Sequence, residues 1–190
     1  MIVTCIPMAR DQVIIQPVIE AYLAQSMSSV LHIVYNPEPY VGMDNIKKRL
    51  HNCCLARNVC LDVFKPYLHS DKYDGFLILD SDCVFLDTIS VELMHSYLKC
   101  NPDFAAIALN KDLEGYTVQL EQAHIACGAV MLSREFFKLG LSYRYADGGL
   151  CECSNLAADI RACGKRIGYV DTNRRLQDLH SAHCALQVVV

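Results

Sequence analysis

Nowhere in the 190 residues does an apolar run approach the ~20 residues that a membrane-crossing helix needs. The first eight residues have neither a basic n-region nor a cleavage site, so no secretory signal is expected. Basic charge is also in short supply. Seventeen Lys and Arg stand against 21 Asp and Glu, a formal charge of −4, which argues against broad binding to nucleic acid or to an anionic membrane. Repeats and linker-like stretches are missing, and a chain of this length buries roughly 70% of its unfolded surface in one core. The expectation is a soluble, cytoplasmic, single-domain protein with no transmembrane segment and no nucleic-acid partner.

What is present is a globular composition, 53% hydrophobic and 20% charged. Eleven cysteines are many for such a chain. They fall mostly in apparent core segments (Cys5, Cys54, Cys60, Cys127), where a thiol behaves as a small hydrophobe. Their spacing does not suggest a secreted disulfide framework, although intracellular disulfides of a heat-adapted source remain open.

Residues 75–82 read Gly-Phe-Leu-Ile-Leu-Asp-Ser-Asp. Four consecutive apolar residues without alternation suit a strand buried on both faces of an α/β sheet. The strand runs straight into Asp80 and Asp82. If Ser81 turns the chain, both carboxylates face one pocket at the carboxyl edge, where open α/β sheets bind ligands. Two carboxylates so close repel unless a cation is near, and oxygen donors of this kind suit Mg²⁺ or Mn²⁺ bridging to phosphates. Turn and cap residues at an ordinary strand end are the other reading.

Along the chain, residues 1–6 read as a buried strand ended by Pro7, and Pro17 fits the first turn of a helix carrying Val18, Ile19, Tyr22 and Leu23. A second strand, 30–35, closes on Asn36-Pro37-Glu38-Pro39. A strand–helix–strand unit predicts two parallel strands joined right-handedly. Asp44 or Asn45 can cap a long helix with Ile46, Leu50, Cys54, Leu61 and Phe64 at helical spacing, ending before Pro66. Lys47, Lys48 and Arg49 at its start read as a solvated face, with phosphate binding the alternative. A helix over about 89–100 leads to a strand at 104–109, and the irregular stretch 110–123 suits a loop or short hairpin. Residues 126–133 read as another buried strand whose Ser133 caps a helix. Gly128 suits either a bulge or close approach of a ligand. The polar segment 143–149 precedes a helix over about 152–163 stopped by Gly164. A short strand at 167–170 follows, then a tail with His180 and His183.

The ordered set resembles the nucleotide-sugar glycosyltransferases of the A-type fold, particularly the inverting family-2-like group. Ala56-Arg57-Asn58 is similar to that family's Ala-Arg-Asn helix, and Leu79-Asp80-Ser81-Asp82 to its Asp-x-Asp strand end. Gly128 to Glu135 resembles its Gly-x-x-Met/Leu-x-Ser-Arg-Glu strand and helix. Glu152 aligns with the Glu of its Glu-Asp pair, Arg161-Ala-Cys-Gly164 with its Arg-x-x-Gly helix ending, and His180 with its late metal-binding His. The resemblance spans nearly the whole chain.

It implies a single-domain, Rossmann-like α/β fold with a mostly parallel sheet flanked by helices. About 1–110 would be the nucleotide-binding part and about 111–190 the acceptor and catalytic part. It implies a UDP- or GDP-linked sugar donor, an inverting transfer to an acceptor hydroxyl, and Mn²⁺ or Mg²⁺ held by Asp80, Asp82 and His180. Pro7, Ala9, Arg10, Asn36, Arg57 and Asp80 would bind the nucleotide. The family's base is the Asp of Glu-Asp, and Cys153 stands there in this chain. Glu152 is then the first candidate base and Asp147 the second, unless the enzyme retains configuration and needs none. Two rivals stay open. A nucleotidyltransferase would also use paired Asp and Mg²⁺, but the loop Met8-Ala9-Arg10-Asp11 has no Gly. A zinc-bound interaction module could use Cys151, Cys153, His180, His183 and Cys184, at only loosely zinc-like spacing.

Overall fold

Successive residues of a strand point to opposite faces, so an apolar run without alternation is stable only where both faces are covered. The computed structural model shows this for β3 (Gly75–Leu79), whose five residues are all buried. Phe76 and Ile78 join one hydrophobic cluster, Leu77 and Leu79 the other. The first cluster draws on α2 (Ile46–Phe64), α4 (Arg134–Lys138) and α5 (Glu152–Ala162), the second on α1 (Gln16–Leu23) and α3 (Ser90–Cys100). The structure describes residues 1–8, 15–35, 46–110, 125, 128–145, 152–170 and 176–178.

The layer between these helices is a six-stranded sheet. In spatial order it holds β2 (Ser29–Tyr35), β1 (Ile2–Met8), β3, β6 (Gly128–Leu132), β5 (Phe104–Asn110) and β7 (Arg166–Val170). The β1–β2, β1–β3 and β5–β7 pairings are parallel, whereas β6 runs antiparallel to both its neighbours. The sheet is thus mostly parallel with one reversed strand. The carboxyl ends of the other five strands and the amino end of β6 share one edge, so Gly128 comes beside the end of β3. Its carbonyl accepts the Asp80 N–H at 2.8 Å. Gly128 has φ 152°, which an L side chain rarely adopts, and this accounts for glycine there.

Three elements depart from the sequence expectations. The first strand does not stop at Pro7 but continues through it to Met8. Pairing of β1 with β3 ends at Cys5 opposite Ile78, so Pro7 lies where β1 is an edge on that side and a missing donor is tolerated. Beyond Phe64 the chain does not leave helical geometry at once, because Pro66 opens a 3₁₀ turn over Lys65–His69. A two-stranded antiparallel ribbon of β4 (Cys83–Phe85) and β8 (Leu176–Asp178) was not foreseen, and it sets Cys83 opposite Asp178. Two further readings hold: Ser133 Oγ caps α4 by accepting the Phe136 N–H at 3.3 Å, and Cys5, Cys54 and Cys60 are buried. Cys127, the stretch 111–123 and the cap candidates Asp44 and Asn45 lie outside the described residues. Among the described residues, no helix is long and apolar enough to cross a membrane.

Gly75 is confined by packing. A Cβ there would meet Ile2 Cγ2 at 2.9 Å, His95 Cδ2 at 3.0 Å and Met131 Sδ at 3.1 Å. All three belong to buried side chains of neighbouring elements, which cannot swing clear. Gly75→Ala is therefore expected to destabilise the protein by about 1–3 kcal/mol. Urea unfolding checks this, and an unchanged midpoint would mean that the sheet and α3 separate more easily than the packing implies.

Candidate active site

The helix that carries Ala56-Arg57-Asn58 packs over the first strands, and Arg57 faces the carboxyl end of β3. Residue 80 continues the parity of Phe76 and Ile78, so Asp80 leaves the strand on the α2 and α5 side. Arg57 meets it with one terminal nitrogen, 2.9 Å from Oδ1 and 3.2 Å from Oδ2. The other terminal nitrogen bonds Glu152 Oε1 and lies 3.2 Å from Cys153 Sγ. One guanidinium thus ties the Asp-x-Asp strand end to the first residues of α5. Its planar fork suits a bridge between two carboxylates, which a point-like ammonium would not span. The group is nearly dry, with the Arg57 side chain 9% and that of Glu152 3% exposed.

Buried charge needs compensation. Arg57 meets two of the carboxylates here, Asp80 and Glu152, and Asp82 follows two residues after Asp80. Glu152 Oε2 is buried and has no hydrogen-bond partner among the described residues. It lies in the first turn of α5, beside the positive end of the helix dipole. Asp82 sits beyond the strand in a turn closed by the Cys83 N–H to Asp80 O bond of 3.1 Å. One carboxylate oxygen each of Asp80 and Asp82 and the Cys83 Sγ lie within 4.8 Å of one another. A cation fits such a group of donors.

Asn58 does different work. Its Nδ2 donates to Tyr143 O at 2.8 Å, and its Oδ1 accepts the Tyr143 N–H at 2.9 Å. The amide thereby replaces a strand partner for that backbone. Asn155 Nδ2 donates to Arg144 O at 3.1 Å, and Arg144 grips Asp159 through two bonds of 2.7 and 2.8 Å. Those bonds hold the Asp159 carboxyl below its ordinary range. Tyr143, expected to begin a polar segment, is instead a core residue at 3% exposure. Its ring lies under the Arg57 guanidinium, 5.7 Å from ring centroid to Cζ, a cation–π distance. Burial pushes its phenol well above the usual range, and its hydroxyl has no partner among the described residues.

Of the residues singled out from sequence, the structure brings Arg57, Asp80, Asp82 and Glu152 together. Pro7 lies near the carboxyl end of β1, opposite Val34 of β2. Ala9, Arg10, Asn36, Asp147 and His180 lie outside the described residues, as do Cys151, His183 and Cys184 of the zinc alternative and the side chains of Lys47, Lys48 and Arg49. Cys83 and Tyr143 were not foreseen as neighbours of the site. Cys83 directly follows the Asp-x-Asp, but nothing in the sequence marks it as facing the carboxylates.

This sheet, with one reversed strand beside the Asp-x-Asp edge, is the A-type glycosyltransferase fold. Solved structures share it at low identity. A Pyrobaculum calidifontis mannosyltransferase, in complex with GDP-Man and Mn²⁺, matches with TM-score 0.62 and 12% identity over 90% of this chain and 55% of its own. TarS from S. aureus matches with TM-score 0.62 and 10% identity over 94% of this chain and 60% of its own. The catalytic domain of Drosophila β1,4-galactosyltransferase 7, in complex with xylobiose, gives 0.60 and 14% over 96% and 72%. The chain therefore spans little more than half the length of the first two. No protein-family model and no curated protein matches it.

Proposed function

We propose that the chain is a metal-dependent glycosyltransferase that moves a sugar from a UDP- or GDP-linked donor to an acceptor hydroxyl with inversion. The observation that carries this reading is the Arg57 bridge between the Asp-x-Asp strand end and Glu152 at the start of α5. In this reading it would join the donor side of the site to the acceptor side. The neighbouring mannosyltransferase, solved with GDP-Man and Mn²⁺, supports the donor class and the metal.

Asp82 and Asp80 would hold Mn²⁺ or Mg²⁺, with His180 as a further ligand. One oxygen each of Asp80 and Asp82 lie close enough to share an ion, and carboxylate oxygens fit either one. When bound, the ion supplies Lewis-acid neutralisation of the leaving diphosphate. Pro7, Ala9, Arg10 and Asn36 would cradle the nucleotide, and Arg57 would act on it by fixing Asp80. Residues of about 1–110 would thus serve the donor and those of about 111–190 the acceptor. Glu152 offers Oε2 to the acceptor hydroxyl while Arg57 holds Oε1 and so fixes the carboxylate's direction. Asp147 is the second candidate.

Glu152→Gln keeps the shape and removes the base, so turnover should fall at least about a hundredfold with nucleotide binding largely kept. Asp147→Asn should cost less. Initial rates with UDP- and GDP-sugars in Mn²⁺, beside calorimetric nucleotide binding, check both. If Asp147→Asn is the inactive variant, the base lies on the 146–150 segment. Full activity in the double variant would leave neither carboxylate as base and would point to retention, which product stereochemistry reads directly.

A further inference from the structure

Cys83 has no part in the reading above, yet its thiol lies inside the carboxylate group. Sγ is 3.3 Å from Asp82 Oδ1 and donates to it. Together with one oxygen each of Asp80 and Asp82 it forms a triangle of atoms within 4.8 Å of one another, a spacing at which three donors can share one ion. The backbone fixes the thiol there twice. The Cys83 N–H closes the turn that carries both aspartates, and Cys83 opens β4, paired with Asp178 of β8. Asp80 meanwhile has both carboxylate oxygens within reach of Arg57, so part of its charge is already shared with a guanidinium. The donors available to an ion beside Asp82 are therefore mixed, two carboxylates and a sulfur.

We propose that Cys83 ligates the ion of this site through Sγ, and that the resulting oxygen–sulfur site favours Mn²⁺, Co²⁺ or Zn²⁺ over Mg²⁺. The proposal rests on the glycosyltransferase reading for the presence of an ion but goes beyond it in the donor set. Ligation forms a metal–sulfur bond and breaks the S–H bond, the proton leaving to solvent. Mg²⁺ takes oxygen donors almost exclusively and holds its waters, whereas a thiolate suits the softer transition ions. The competing role of Cys83 is that of a small hydrophobe, since it is fully buried and packs in the cluster with α1 and α3.

The two roles separate in the absorption spectrum of the Co²⁺-loaded protein. Titration of the purified chain with Co²⁺ is expected to raise a near-ultraviolet sulfur-to-cobalt charge-transfer band together with visible d–d bands. The charge-transfer band should vanish in Cys83→Ser and in Cys83→Ala, and persist in Cys153→Ser. In parallel, the ratio of Mn²⁺ to Mg²⁺ affinity, read by electron paramagnetic resonance competition, should fall at least about tenfold in Cys83→Ser. Circular dichroism shows whether each variant is folded; either folded Cys83 variant decides, and a wild-type spectrum without the sulfur band overturns the proposal by itself. Co²⁺ bound with d–d bands but without the sulfur band, or a band that survives in both Cys83 variants, overturns the proposal while leaving the metal-dependent transferase intact. Failure to bind Co²⁺ or Mn²⁺ at all overturns both.

Discussion

Asp82→Ala is expected to lower sugar transfer by about a thousandfold while leaving the protein folded. Asp82 sits in the turn after β3, partly exposed and outside every strand, so its side chain carries little of the core. Asp80 is tied to the buried Arg57, and its replacement would disturb that bridge as well as the chemistry. Asp82 is thus the cleaner probe of the ion. Neutralising a leaving diphosphate contributes several kcal/mol to the transition state, and each 1.36 kcal/mol is about tenfold in rate. If Asp82 holds the ion as proposed, its loss should also weaken UDP or GDP binding when Mn²⁺ is present, and change it little when Mn²⁺ is absent. Calorimetric titration with and without Mn²⁺ measures that difference. Equal affinity of wild type and variant in Mn²⁺ would remove Asp82 from the metal site.

The parts of this site differ in how much of them sequence could carry. The strand leading to Asp80 was legible because Phe76, Leu77, Ile78 and Leu79 are apolar without alternation, and only a sheet covered on both faces accommodates that. Arg57 was placed on the correct helix by its motif. Its contact with Glu152 spans 95 positions, however, and depends on how α2 and α5 cross the sheet. The reversal of β6 was hidden for a related reason, since apolar periodicity reports burial and says nothing of strand direction. The ribbon of β4 and β8 has three residues per strand, too few for any period to register. Tyr143 misled because its sequence neighbours are polar. It is buried because Asn58 satisfies both its N–H and its C=O, which lets that backbone run inside without a strand partner. The motif's Asn therefore marks a structural clamp and its Arg a bridge, a division of labour that adjacent letters do not reveal.

That bridge makes Arg57→Met the substitution with the largest expected effect on stability. Methionine fills much of the volume and removes the charge, so Asp80 and Glu152 lose the guanidinium they share in a site nearly closed to water. Breaking a buried ion pair from one side costs about 3–5 kcal/mol, because the partner's charge stays buried and uncompensated. The cation–π contact with Tyr143 is lost as well, adding to the same side of the balance. If the penalty arises from the stranded Glu152 carboxylate, removing that charge should return part of it. The double variant Arg57→Met, Glu152→Gln is therefore expected to be more stable than the sum of the two single losses predicts, by about 1–3 kcal/mol of coupling. Arg57→Lys keeps the charge but cannot span two carboxylates, so it should fall between wild type and Arg57→Met. Urea unfolding of the four proteins of the cycle gives the coupling directly. Additive losses within about 0.5 kcal/mol would mean that Arg57 and Glu152 stabilise the fold independently, and the bridge would then not be what holds α5 to the strand end.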